Sequence, residues 1–422
     1  MTRPALHFTP REGWINDPLG LTYHGGTYHL FFQFVPGQTV WGPECRWGHA
    51  VSDDLLTWTE RAVALEPGDG DGGCWSGAVV VDPDGRASIF YTSVQIDDLD
   101  IGRIRRAHPT DDTWDAWRKG PVAAEVPATQ DATVFRDPYL FRDRDTWRML
   151  VGSGRSDGTA TALSYSSSDL ATWGFDGEFA SRSSTRQDPL WTGTVWECPQ
   201  LLSFGDRHVM VFSVWEPWIP YYGAYAVGRL MDGTFSIEAW GRLTYGDAYY
   251  AGSAFTDAAG HPGMIHWLRG VGDVEDGWAG AHSLPHQMRL GDDDVLIAEP
   301  HPAIADRRGR KTVIRAERDP IRADLAAQAD VEWAVPPDEV GDLSVTSSDG
   351  TPVFCISKTA AQTYVSIGTQ TWPMPYTGSL RMVFDGPIVE LFSTAGIFAA
   401  PTEAVVARTI SVTAGTCLIY EL

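Results

Sequence analysis

The sequence predicts an all-β fold, a five-bladed β-propeller followed by a C-terminal β-sandwich, and three observations predict it. Short alternating runs bounded by turn residues fill the chain, while Gly (43), Pro (27) and Trp (18) are abundant among its 422 residues. A unit recurs about every 60 residues as far as position 300. Beyond that the texture changes, first to a charged stretch containing prolines and then to a new series of alternating strands.

The plainest copy of the repeat is Ser52-Asp53-Asp54-Leu55-Leu56-Thr57-Trp58, a polar turn, an apolar plug and a Trp. It returns 115 residues later as Ser167-Ser168-Asp169-Leu170-Ala171-Thr172-Trp173, an interval of two periods. Each period also carries an inner strand, a turn and a second strand. Asp17-Pro18-Leu19-Gly20-Leu21 leads through His24-Gly25-Gly26 to Tyr28–Gln33, and Asp137-Pro138-Tyr139-Leu140-Phe141 leads to Trp147–Val151. Ser76–Val80, Glu197–Leu201 and Ala251–Phe255 open the same way, so positions 17, 76, 137, 197 and 251 are spaced by 59, 61, 60 and 54. Four-stranded sheets repeated radially make a propeller. Its innermost strands surround one axis, which brings Asp17, Asp137 and Glu197 to a common funnel.

The expected organisation is therefore a propeller over 1–300, a linker over 301–330 holding a short helix at Ile321–Ala329, and a sandwich over 331–422. Alternation in Ser379–Phe384 and Ile388–Phe392 supports the last of these.

A formal charge of −23 argues against nucleic acid or an anionic membrane as partner and suits a small neutral ligand. No apolar run is long enough to span a bilayer. Met1–Thr9 has no apolar signal core, so a cytoplasmic location is expected. The five cysteines show no CxxC pair and read as free thiols, with a Cys45–Cys74 bond as the alternative. His282 and His286 lack zinc-site spacing, and His49 in Trp47-Gly48-His49-Ala50 reads as a hydrogen-bonded core histidine. No metal and no cofactor is expected.

Sugar hydrolysis gives three clustered acids a use, since a retaining glycosidase pairs a nucleophilic carboxylate with a protonated one about 5–5.5 Å away. Asp17 fits the nucleophile, with Asn16 to bind the sugar and Trp14 to wall the pocket. Glu197 fits the acid/base, its proton held by neighbouring anions and apolar surroundings. Asp137 follows Arg136, whose cation is expected to keep it ionised for hydrogen bonds to sugar hydroxyls.

These residues carry a close resemblance. The blocks Trp14–Pro18, Arg136-Asp137-Pro138 and Glu197-Cys198 resemble the signatures of glycoside hydrolase family 32, the invertase, levanase and inulinase family. Phe31–Phe34, Trp47–Ala50, Trp75-Ser76-Gly77, Tyr250-Ala251 and Gly277–Gly280 with Ser283-Leu284-Pro285 match in order. Leu19 departs from the pattern, standing where the family usually has asparagine.

The resemblance implies an exo-acting, retaining β-fructofuranosidase for sucrose or short fructo-oligosaccharides. Asp17 would be nucleophile, Glu197 acid/base and Asp137 the transition-state stabiliser. It also implies that Asn16, Gln33, Trp41 and Trp75 bind the fructosyl unit, together with Ser76, Arg136, Tyr250 and Trp267. The aromatic segment Trp215–Tyr222 reads either as a wall for the leaving group or as a packed blade edge. The same acids would serve a fructosyltransferase. An arabinanase-like inverting furanosidase would need carboxylates about 6.5–9.5 Å apart, and a non-catalytic sugar-binding propeller would need none of them.

Overall fold

The computed structural model describes residues 3–317, 319–336, 338–360, 362–376, 378–402 and 408–422. Its strands form a β-propeller and a β-sandwich. The first four blades are antiparallel sheets of four consecutive strands. Their inner strands are Gly13–His24, Gly73–Val81, Ala132–Asp143 and Val195–Phe204. The fifth blade starts with Tyr249–Thr256 and Pro262–Asp273 and ends with Leu296–Pro300. Each inner strand packs on the next, and that of the fifth blade packs back on the first. Gly13 and Trp14 also pair in parallel with Trp278 and Ala279, which joins the first blade to the fifth.

The inner strands share a feature that alternation alone does not reveal. Between Ile15 and Pro18, Trp75 and Gly77, Arg136 and Tyr139, Glu197 and Gln200, and Tyr250 and Ser253, each advances one residue more than its neighbour. Such a bulge bends its strand and re-aims the side chains there. Asp137, Cys198 and Ala251 take the left-handed backbone at these bulges, with φ of 61°, 48° and 46°, a conformation costing about 1–3 kcal/mol for residues other than Gly. Aligning the bulges makes Asn16, Ser76, Asp137, Cys198 and Ala251 equivalent. The repeat register read from the sequence is thus corrected by one residue at Asp17 and at Glu197.

The repeated Trp-bearing turn is the same structure twice. Ser52 Oγ accepts from the amides of Asp54 and Leu55, and Asp54 accepts from those of Leu56 and Thr57. Ser167 and Asp169 repeat this on Asp169, Leu170, Ala171 and Thr172. Leu55 and Leu170, at φ 66° and 62°, bury their side chains as the plug. The polar side chains satisfy a tight turn's amides, which is why the sequence motif is so regular.

The expected helix over Ile321–Ala329 is absent. Ile321–Leu325 is an edge strand on Arg408–Val412, and Gln328–Ala334 pairs with both Ser379–Asp385 and Gly415–Glu421. Ala, Leu, Arg and Gln favour helices locally, but burying Leu325, Ala329 and Val331 in the sandwich core overrides a weak propensity. Among the described residues helix occurs instead as one turn at Pro302–Ala305. Nor is 311–330 a linker, because Lys311–Ala316 already pairs with Gly415–Glu421 inside the sandwich. Among the described residues the sandwich consists of two six-stranded sheets, one of them extended to seven strands by Thr244–Tyr245 of the propeller.

A strand pairing and a buried polar cluster are among the contacts that tie the domains. Thr244–Tyr245 of the propeller pairs in parallel with Ile397 and Phe398 at the edge of the seven-stranded sheet. Glu390 of the sandwich, fully buried, takes His7 Nε2 at 2.7 Å, His286 Nε2 at 3.0 Å, the Leu284 amide at 2.7 Å and the Tyr249 hydroxyl. His7 also reaches Asp385 through Nδ1 at 2.8 Å. Among the described residues no helix is long and apolar enough to cross a membrane. All five cysteines are free, and the Cys45 and Cys74 thiols turn to different carbonyls, Gly42 and Glu66.

Candidate active site

Residues at the bulges border one cavity of about 370 Å³. Ten of the eleven residues proposed from sequence border it. Ser76 is the exception. It is 1% exposed and lies beneath the floor, donating from Oγ to Asp17 Oδ2 at 2.5 Å and accepting from Gln33 Nε2. The structure therefore makes Ser76 a support for Asp17 and does not place it against a ligand.

Asp17 is held by donors on both oxygens. Oδ2 receives Ser76, Gln33 Nε2 at 3.4 Å and the Cys198 thiol at 3.5 Å, while among the described residues Oδ1 receives only Asn16 Nδ2 at 3.0 Å. Asn16 is fixed in turn by Trp14 Nε1 at 3.3 Å, and its backbone carbonyl meets His282 Nε2 at 2.8 Å. Burial, with the charge of Glu197 added, lifts Asp17 from 3.8 to about 6 despite these hydrogen bonds.

Asp137 comes to the same floor from the third blade. Its Oδ2 accepts from the Cys198 amide at 3.0 Å and lies 3.6 Å from the Cys198 thiol. Cys198 thus bridges two carboxylates, and burial together with those charges raises its own pKa far above the usual thiol range. The expectation that Arg136 keeps Asp137 ionised needs correction. Burial, then the charge of Glu197, raises Asp137 well above the ordinary carboxylate range, and Arg136 offsets this only in part. The reason is the bulge, which sends consecutive side chains apart, so that Arg136 Nε faces Glu197 Oε1 at 3.3 Å instead.

Glu197 arrives from the fourth blade with its side chain 16% exposed, the most open of these groups toward the mouth. The Tyr250 hydroxyl donates to its Oε2 at 2.6 Å. Trp75 and Trp215 flank the Arg136 guanidinium, with ring centroids 5.7 and 4.8 Å away. Trp14 and Trp267 form the opposite wall, edge to face at 5.7 Å. Arg136 Nη2 and Trp267 Nε1 are buried donors that meet no acceptor among the described residues. Buried donors left unpaired in this way are available to a ligand's acceptors.

Three carboxyl groups from three blades thus meet in one aromatic-walled pocket. The model of the glycosyl hydrolases family 32 N-terminal domain matches residues 7–300. The chain belongs to glycoside hydrolase family 32. Within that family it is 34% identical over 317 residues to a sucrose-6-phosphate hydrolase of Zymomonas mobilis, covering 70% of this chain and 61% of the relative. An Escherichia coli sucrose-6-phosphate hydrolase is 30% identical over 335 residues, covering 74% and 67%. The chain thus spans about two thirds or less of the length of these curated relatives. A variant of a Bombyx mori family 32 β-fructofuranosidase, solved in complex with sucrose, superposes with a TM-score of 0.85 at 25% identity. That superposition covers 99% of this chain and 93% of the other.

Set against this family 32 site, sequence reasoning missed the residues that act from behind. His282 anchors the strand of Asn16, and Arg269 holds the start of the strand Ile219–Met231 by donating to the Pro220 and Tyr221 carbonyls at 2.8 and 3.1 Å. Nothing local signals either, since their partners lie 266 and about 49 residues away. His49 sits in the first blade's core, 3.1 Å from His29 and stacked on Phe31, with burial holding its pKa down at about 3.

Proposed function

We propose that the protein is a retaining, exo-acting β-fructofuranosidase for sucrose and short fructo-oligosaccharides. The observation that carries this reading is the meeting of Asp17, Asp137 and Glu197, from three blades, in a single sugar-sized cavity. Asp17 Oδ2 is occupied by three donors and Oδ1 by one, which leaves Oδ1 the freer oxygen for attack. Oδ1 bonds to the anomeric C2 of the fructosyl unit as the Glu197 proton passes to the departing glycosidic oxygen. In the second half Glu197 takes a proton from water, whose oxygen bonds to C2 as the bond to Asp17 breaks. Fructose leaves and both carboxyl groups are restored. Asp137 accepts from fructosyl hydroxyls, contacts that strengthen as C2 becomes oxocarbenium-like. Tyr250 and Arg136 keep the Glu197 carboxyl turned toward the leaving oxygen.

Glu197→Gln tests the acid/base role and should lower kcat on sucrose by about 10²–10⁴-fold. Glu197→Ala supplied with azide should yield β-fructosyl azide, detected by NMR. The α-anomer would show an inverting enzyme, and an active Glu197→Gln variant would remove the assignment.

A further inference from the structure

We propose that Trp218 is the residue that selects the leaving group, and that it selects an unphosphorylated sugar ring; this rests on the fructosidase reading above. Pro217 and Trp218 form the two-residue turn that links Arg207–Glu216 to Ile219–Met231, Glu216 pairing with Ile219 across it. Trp218 has φ 65°, at a turn position that normally takes Gly or Asn. It is also 58% exposed, so neither backbone preference nor burial accounts for an indole there. Strain of that kind at the edge of a cavity points to use by a ligand.

The placement says which part of the ligand. Trp218 stands 6.3 Å from Trp41 of the first blade and 6.2 Å from Trp215, and Trp41 stands 5.7 Å from Trp75. The four rings thus form a continuous arch, in which Trp75 and Trp215 flank Arg136, the residue that faces Glu197. The arch therefore covers the acid side of the cavity, where the leaving group departs, and not the Asp17 floor. Its two outermost rings, Trp41 and Trp218, are the exposed ones, at 38% and 58%. Exposed indole faces suit the apolar face of a neutral hexose.

Charge decides the rest. Among the described residues that border the cavity, Arg136 is the one cation, and Glu197 already engages it. A phosphate on the leaving sugar would lie beside the Glu197 carboxyl in a chain of net charge −23, and the one guanidinium bordering the cavity, that of Arg136, already faces Glu197 at 3.3 Å.

The test compares kcat/KM for sucrose, sucrose 6-phosphate and methyl β-fructofuranoside, whose leaving group has no ring. Wild type should prefer sucrose over its 6-phosphate by about 100-fold or more. Trp218→Ala should raise KM for sucrose about tenfold, and its loss on sucrose should exceed its loss on the methyl glycoside at least about fivefold. Trp218→Phe should restore most of that difference, and Trp218→Gly, which relieves the backbone, should match Trp218→Ala in kinetics while melting no lower than wild type. Sucrose 6-phosphate turned over as well as sucrose, or equal losses on sucrose and methyl glycoside, would overturn the proposal. Wild type inactive on all three fructosides would instead overturn the underlying reading.

Discussion

Replacing Asp17 by Asn should make the protein more stable at alkaline pH while removing its activity. Raising a buried carboxyl from 3.8 to about 6 means that the fold favours its protonated form by about 3 kcal/mol. The sign follows from linkage. A raised folded pKa contributes stability that is fully present below about 3.8 and is lost as pH rises through about 6. At pH 8 the wild type therefore carries the full cost of an ionised Asp17. Asn is close in shape and uncharged, but with its one oxygen turned to Ser76, Gln33 and Cys198 its amide nitrogen cannot accept from Asn16 Nδ2, which costs about 1 kcal/mol or more. The net expectation is a gain of about 1–2 kcal/mol at pH 8, or a melting temperature higher by about 2 °C in a domain of this size. At pH 4 the gain should vanish or reverse, because wild-type Asp17 is then protonated. Thermal unfolding followed by circular dichroism at both pH values measures this, alongside sucrose turnover, which should fall by at least about 10⁴-fold. A variant that melts lower by the same amount at both pH values would refute the reasoning, since Asp17 would then not be ionising against its surroundings.

Two further outcomes concern the scaffold. Burial alone would lower the His7 pKa, yet Asp385 and Glu390 carry it from 6.5 to about 9, so this pair's stability is present below about 6.5 and lost as pH rises through about 9. Glu390→Gln should cost about 3–5 kcal/mol at pH 6, read by denaturant unfolding, and should flatten the decline above pH 7; an unchanged midpoint would show that the domains do not depend on this cluster. Gly280 has φ 87°, and a Cβ there would lie 1.9 Å from the Ile15 carbonyl, next to Asn16. Gly280→Ala should lower melting and activity together, whereas Gly205→Ala, with φ 67° and open space, should cost only about 1 kcal/mol and leave sucrose turnover alone. Equal effects of the two substitutions would remove the claim that Gly280 seats the first inner strand.

Much of the site was legible because its chemistry is carried by short blocks repeated at a fixed period. Residues 17, 137 and 197 are distant in sequence, but repetition places them on successive inner strands, and periodicity is a property of the chain. The Ser52–Trp58 turn was equally legible, since the groups that satisfy its amides all lie within six residues. The Ile321–Ala329 region was misleading for the opposite reason: its strand partners, 408–412, 379–385 and 415–421, are remote.

The amino-acid order by itself determined the all-β fold, the propeller with its sandwich, and the acids at its centre, because hydrophobic alternation, turn residues and a 60-residue period are local or periodic signals. Tertiary structure alone decided which group each acid faces. The extra residue in every inner strand turns Arg136 toward Glu197 and away from Asp137, sets Ser76 beneath Asp17, and puts Cys198 between two carboxyls. A one-residue bulge leaves the repeat period almost unchanged, yet it reverses the side to which the following side chains point.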